Sequence, residues 1–233
     1  MLKYVYFFVV LRIISRMLLF DAHCHLFEKD KVAPKIAAIV NATRPAEWGA
    51  VVNIAGGCEN VWGAIGVHPW FINELYDGWD MDLQRLLQGN SDIMVGEIGL
   101  DKNRPDMDRQ IDVFVRQMQI ATDLKRGVHV HCVGAWDKMM RVLKCFSQRR
   151  PPFILFHRFS GNWGDVARMV GEYNAYFSFR DMSAVVAHIP HDRILIETDS
   201  DDVMKIVDVE KKFATVCCGC NFYENTIRML KNG

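Results

Sequence analysis

The chain has no excess of either charge: 28 Lys and Arg stand against 28 Asp and Glu over 233 residues. A balanced chain exerts no global pull on a polyanion, so any grip on nucleic acid must come from a local patch or from bound cations. A disulfide framework is lacking too. The cysteines number seven, an odd count without regular spacing, which fits a reducing compartment and a cytoplasmic location. The tract Cys217-Cys218-Gly219-Cys220 has no partner pair of Cys or His for a structural zinc and reads as packing. Long apolar runs are also scarce. Tyr4 to Leu11 is short for a membrane span, and Arg12 and Arg16 follow it without a small-residue cleavage site, so membrane association is not expected. Internal repeats and low-complexity tracts are absent.

What remains is a chain able to fold around a core. Half of its residues are hydrophobic and about a quarter charged, which supports one domain. A strand pattern begins at Met17-Leu18-Leu19-Phe20-Asp21 with no linker before it. This divides the chain into an N-terminal extension, residues 1–16, and a barrel, residues 17–233. Past Met17, strand candidates at 18–23, 50–55, 62–67, 93–97, 127–131, 153–157, 175–179 and 193–198 alternate with helical patterns. That order predicts an α/β fold, a compact (β/α)8 TIM barrel, compressed between residues 26 and 60 where two βα units have little room. The clearest helix, 106–125, keeps Ile111, Phe114, Val115, Met118 and Leu124 on one face, with Asp106 as its cap. A second, 136–147, repeats the pattern.

Five apolar runs each end in a side chain that binds metal. Met17 to Phe20 leads into Asp21-Ala22-His23-Cys24-His25, Ile93 to Val95 into Gly96-Glu97, and Val128 to Val130 into His131; Phe153 to Phe156 leads into His157, and Arg193 to Ile196 into Glu197-Thr198-Asp199. In a barrel of parallel strands the chemistry sits at the C-terminal strand ends. His23, His25, His131, His157, Glu97 and Asp199 are therefore expected to converge on one mouth. Neutral imidazole together with carboxylate suits zinc, manganese or a related divalent ion, and points to a metal-dependent hydrolase. His23 and His25 are two apart and share a face, which turns Cys24 toward the helices. A carboxylate at position 97 behind a buried run is costly unless a cation or a donor meets it. His129 shares the face of His131 one layer further down. Each residue alone is explicable as a satisfied buried polar group; the joint placement of all six carries the reading.

The motifs Asp21-Ala22-His23-Cys24-His25-Leu26, Gly66-Val67-His68-Pro69, Gly96-Glu97-Ile98-Gly99-Leu100-Asp101, Val130-His131-Cys132, His157-Arg158-Phe159-Ser160-Gly161 and Glu197-Thr198-Asp199-Ser200 occur in that order. Together they resemble the signature of TatD-family metal-dependent hydrolases, from Met17 to the C-terminus. The resemblance implies an amidohydrolase-like barrel with two divalent metal ions (Mg, Mn or Zn) and deoxyribonuclease activity on DNA ends or single strands. It implies that His23, His25, Glu97 and Asp199 bind one ion, and that Glu97, His131 and His157 bind the second. Asp199 would be the general base, His68 would hold the scissile phosphate, and Asp101 would steady the Glu97 loop. Some relatives in the family's circle are deacylases, so cleavage of aminoacyl-tRNA or small esters is the alternative. A barrel without catalysis is a third reading, opposed by the complete ligand set. The chain departs from the family where Cys132-Val133-Gly134 replaces a common arginine after His131, and where Asp199-Ser200-Asp201-Asp202 lacks the usual proline. Phosphate binding is then expected to be built differently, with Lys102, Arg104 and Arg158 as candidate cations.

Overall fold

A computed structural model describes residues 19–28, 31–215, 217 and 219–231. The expected extension, residues 1–16, lies outside them. Eight strands run in the order β1 Leu19–Cys24, β2 Ile36–Asn41, β3 Val61–Ile65, β4 Met94–Asp101, β5 Val128–Val133, β6 Ile154–Phe156, β7 Ala175–Phe179 and β8 Ile194–Ile196. Each pairs in parallel with the next. The helices are α1 Trp48–Gly57, α2 Trp79–Gly89, α3 Met107–Asp123, α4 Trp136–Cys145, α5 Trp163–Tyr173, α6 Ile206–Ala214 and α7 Phe222–Lys231. Among the described residues no helix is long and apolar enough to cross a membrane.

The ring is drawn together between β8 and β1. The Asp199 N–H donates to the His23 carbonyl and the His25 N–H to the Ser200 carbonyl, both at 2.9 Å. The buried Asp21 carboxylate accepts from the Thr198 N–H at 2.9 Å and the Thr198 hydroxyl at 2.6 Å. Burial pushes the Asp21 carboxyl up to about 7, against the pull of the Thr198 and His23 hydrogen bonds.

Two apolar layers follow from strand alternation. Phe20, Ala22, Ala37, Ile39, Ala64, Met94, Leu155, Tyr176 and Leu195 fill the lower barrel interior, where Met229, Tyr223, Ile227 and Leu230 of α7 close the bottom. Their neighbours along the strands, such as Cys24, Val40, Val95, Val130, Phe156 and Phe177, face the helices. Cys24 is fully buried there, between His23 and His25.

Two of the expectations fail. Residues 50–55 are not a strand but the middle of α1, where Trp48, Val51 and Ile54 are buried at helical spacing. The strand of that unit is β2, whose six residues are all buried. An apolar run of this length fits a strand or a helix equally well, and only burial on both faces separates them. The compression falls before β2: among the described residues no α-helix joins β1 to β2. Asp106 does occupy the position before α3, but with φ 58° its side chain makes no cap hydrogen bond.

Candidate metal centre

Alternation alone would put His23 and Glu97 on the wrong side of their strands. Phe20 and Ala22 point into the barrel, so counting by twos would send His23 outward. The pairing of β1 with β2 shifts register between Asp21 and Cys24, and that of β4 with β5 shifts between Val95 and Ile98. A bulge of one residue reverses the facing of everything beyond it. His23 and His25 on β1, and Glu97 on β4, thereby turn into the mouth. Two glycines permit the β4 bulge: a Cβ on Gly96 would meet the His129 Cβ at 2.6 Å, and one on Gly99, at φ 150°, would strike the His131 carbonyl oxygen.

Glu97 is the hub, and its two oxygens face different groups. Oε2 lies 3.3 Å from His23 Nε2 and 3.5 Å from His25 Nε2. Oε1 lies 3.1 Å from His131 Nδ1, 2.7 Å from His157 Nε2 and 3.2 Å from His68 Nε2. Asp199 joins the first group, with Oδ1 3.3 Å from His25 Nε2. All six residues expected at one mouth are brought together, and His68 with them. Burial works to raise the Glu97 carboxyl, but the imidazoles of His157 and His68 and hydrogen bonds from His131 and His157 hold it well below the usual range. Asp199 is likewise lowered: burial opposes ionisation, while His25 and the charges of His157 and His23 outweigh it.

The far nitrogen of each ring shows how it is set. His25 Nδ1 is 2.9 Å from the Asn41 carbonyl, to which it donates, and this turns Nε2 toward Glu97 and Asp199. The buried His157 has Nδ1 3.7 Å from Glu197 Oε1. Glu197 is also bound by the Ser178 hydroxyl and by the Arg158 N–H. His68 is set the opposite way. The Trp70 N–H donates to its Nδ1 at 3.2 Å, so the ring's own proton sits on Nε2, toward Glu97. Burial lowers His68, which keeps it neutral. His129 lies below His23 with its rings 5.8 Å apart, one layer down as expected.

Helix α3 holds two of these loops through glutamines seven residues, two turns, apart. Gln117 accepts from the Val67 N–H at 2.7 Å and donates to the Val67 carbonyl at 3.1 Å, fixing the residue before His68. Gln110 does the same for Asp101, at 2.8 and 3.1 Å. The Asp101 carboxylate accepts from Trp70 Nε1 at 2.7 Å and lies 3.5 Å from His131 Nε2. It therefore holds Trp70 and approaches the His131 ring.

A cavity of about 600 Å³ opens above the cluster, lined among others by Thr43, His68, Trp70, Asn103, Arg158 and Asp199. Arg158, at φ 43°, reaches over it to Asp199 Oδ2 at 3.0 Å. Asp199 is also in the left-handed region, at φ 49°. Non-glycine residues rarely adopt that conformation, and here it falls just past the ends of β6 and β8, the two strands that flank β7. Asp201 and Asp202 do not line the cavity; Asp202 instead accepts from the Met204 N–H. Sequence reasoning passed over Asn41, Gln110, Gln117, Ser178 and Glu197, because polar residues inside apolar patterns carry no sign of what they hold.

The donors suit a cation. His25 Nε2 and the carboxylate oxygens of Glu97 and Asp199 converge, and among the described residues His23 Nε2 is buried without a hydrogen-bond partner. His23, His25 and Glu97 bring their ligand atoms together in one such group and His23, His157 and Glu197 in another, while Glu97 and His131 meet in a third beside the His68 ring. An eight-stranded parallel barrel with imidazoles and carboxylates gathered at its C-terminal strand ends defines the class: a hydrolase barrel of the metal-dependent kind. The family model described as TatD related DNase matches residues 20–213, and the chain belongs to that family. A human protein named 3'-5' RNA nuclease TATDN2 is 29% identical over 155 residues, 60% of this chain and 20% of that protein. A protein of Pectobacterium atrosepticum named 3'-5' ssDNA/RNA exonuclease TatD is 27% identical over 194 residues, 75% of this chain and 74% of its own length. The crystal structure of YJJV, a TatD homologue from Escherichia coli K12, superposes with TM-score 0.79 at 22% identity, covering 93% of this chain and 96% of that one.

Proposed function

We propose that the chain is a metal-dependent nuclease that removes nucleotides from the ends of single-stranded nucleic acid. His23, His25, Glu97 and Asp199 would hold one divalent ion, and Glu97, His131 and His157 a second. The observation that supports this most strongly is the division of Glu97, whose two oxygens each face a separate set of imidazoles. The relatives' names supply the substrate: they act on single-stranded DNA or RNA, which widens the DNA expected from sequence to both polymers. A donor set rich in imidazole favours zinc or manganese over magnesium.

Bound there, the ions would supply Lewis acidity toward a phosphodiester and a water acidic enough to lose its proton near neutral pH. Asp199 stands ionised, with one oxygen beside His25 and the other held by Arg158, and is placed to take that proton. His68 lines the cavity with its Nε2 proton toward Glu97 Oε1, and with Glu97 engaged by the ions that proton would be donated to a phosphate oxygen instead. Arg158 is half exposed above Asp199 and provides the positive charge at the mouth that the residues after His131 do not. The catalytic unit is residues 17–233, and an odd count of seven cysteines suits the cytoplasm.

Incubation of the purified protein with end-labelled single-stranded DNA and RNA, with Mn, Zn or Mg and then with EDTA, tests the reading. Metal-dependent release of mononucleotides supports it. Inertness toward both polymers with cleavage of aminoacyl esters would replace it by the deacylase, and a chain starting at Met17 should keep full activity.

A further inference from the structure

The loop after β3 carries a feature that metal chemistry does not use. Trp70 is 50% exposed at the cavity rim, yet its ring is fixed. Its Nε1 donates to the buried Asp101 carboxylate at 2.7 Å, the His68 ring stands edge-on at 5.2 Å, and the Arg104 guanidinium lies over its face at 4.0 Å from the centroid. Among the described residues Arg104 pairs with no carboxylate, so its charge stays available. Beside it Phe71 also lines the cavity, under Arg44 at 4.5 Å, but Arg44 is bound to Glu47 at 2.9 Å. An exposed indole held rigid by a buried carboxylate loses little entropy when a planar ligand settles on it.

We propose that Trp70, with Arg104, is the stacking platform for the base of the nucleotide next to the scissile phosphate. The inference rests on the nuclease reading and names how that site selects its substrate. The platform is one ring removed from the centre, since His68 touches both Trp70 and Glu97. That is the scale on which a base projects from its own backbone phosphate. The base joins the indole and guanidinium stack, and Arg104 meets the following phosphate. Every base has a π-face, so the platform tolerates any sequence, but it needs a base free of its neighbours in a duplex. Asp101 links the two functions, because the same carboxylate braces Trp70 and approaches the His131 ring.

The experiment compares two single-stranded oligonucleotides, one intact and one abasic at the terminal nucleotide, in the metal-loaded enzyme. Stacking is worth about 1–3 kcal/mol per base, so the wild type should prefer the intact end by roughly five- to 150-fold in kcat/KM, mostly through KM. In Trp70→Ala that preference should collapse to near unity, and in Trp70→Phe part of it should return. A Trp70→Ala enzyme that keeps the wild-type preference would overturn the platform, as would a wild type indifferent to the missing base. Failure of the nuclease reading looks different: the wild type would then release nothing from either oligonucleotide with any metal.

Discussion

The lower and upper halves of the barrel interior are equally buried and chemically opposite. Below, Phe20, Ile39, Leu155, Tyr176 and Leu195 pack under the closing helix α7. Above, at the same exposure of a few per cent or less, stand His23, Asn41, Glu97, Ser178 and Glu197. Burial of the first set drives folding. Burial of the second opposes it, and every charge there must be met by a hydrogen bond or a counter-charge. The same strands build both, so stability and chemistry are divided along the barrel axis. The bulges at Asp21–Cys24 and Val95–Ile98 lie where the first gives way to the second.

The largest test of that division is Asp199→Asn. It keeps volume and leaves the lower half untouched, but removes a carboxylate from the centre and from Arg158. Turnover should fall by about 10³-fold, within the range for loss of a general base, with the melting temperature nearly unchanged. Kinetics beside a thermal melt would check it, and retention of most activity would remove Asp199 from its role. Leu155→Ala is the converse. It opens a cavity in the lower half, with an expected loss of about 3 kcal/mol and a melting temperature lower by roughly 10 °C. Metal content measured by mass spectrometry should stay at the wild-type ratio; a variant that also lost metal would show the halves to be coupled.

Much of this arrangement was legible because ligands end apolar runs. His131, His157 and Asp199 each close a strand whose inner neighbours are hydrophobic, and a barrel leaves few places for such residues but the mouth. Less was legible where burial on two faces erases periodicity, as at Ile36–Asn41, or where apolar residues cluster without a clear period, as at Ala50-Val51-Val52-Asn53-Ile54-Ala55. The bulges were invisible. His23 and His25 were placed inward for their chemistry, although strict alternation from Phe20 points them out. Glu197 and Asn41 were given no role for a related reason: they act on His157 and His25 from other strands, and nothing local in sequence marks a partner so far along the chain.

Removal of metal should act on the upper half alone. An ion at a hundred times its Kd stabilises by about 2.7 kcal/mol, so dialysis against EDTA should lower the melting temperature by roughly 5–10 °C. The drop should vanish in Glu97→Gln, which lacks the shared carboxylate. An unchanged melt in the parent protein would argue that the imidazoles bind no ion in solution. His68→Ala should have a smaller effect. Its Nδ1 is occupied by the Trp70 N–H, so its loss should leave metal content intact while slowing turnover about tenfold. Loss of metal in that variant would move His68 into the ligand set.

The finest test falls on the boundary, at His129. Its side chain is fully buried between the two halves, and neither ring nitrogen has a hydrogen-bond partner among the described residues. Burial, then the nearby His23 and His157, hold its pKa well below the ordinary histidine value. A pKa lowered in the folded state contributes stability above the unfolded value and loses it as pH falls, because the unfolded chain takes the proton first. The wild type should therefore weaken below about pH 6.5 in part through this one ring. If His129 belongs to the lower half, His129→Leu relieves an unpaired polar group and fills similar space. Stability at neutral pH should then rise by up to about 1 kcal/mol, with a shallower decline in acid and no change in metal content. A destabilised or metal-poor His129→Leu protein would instead put the ring in the upper half, and the boundary would lie one layer deeper than the packing indicates.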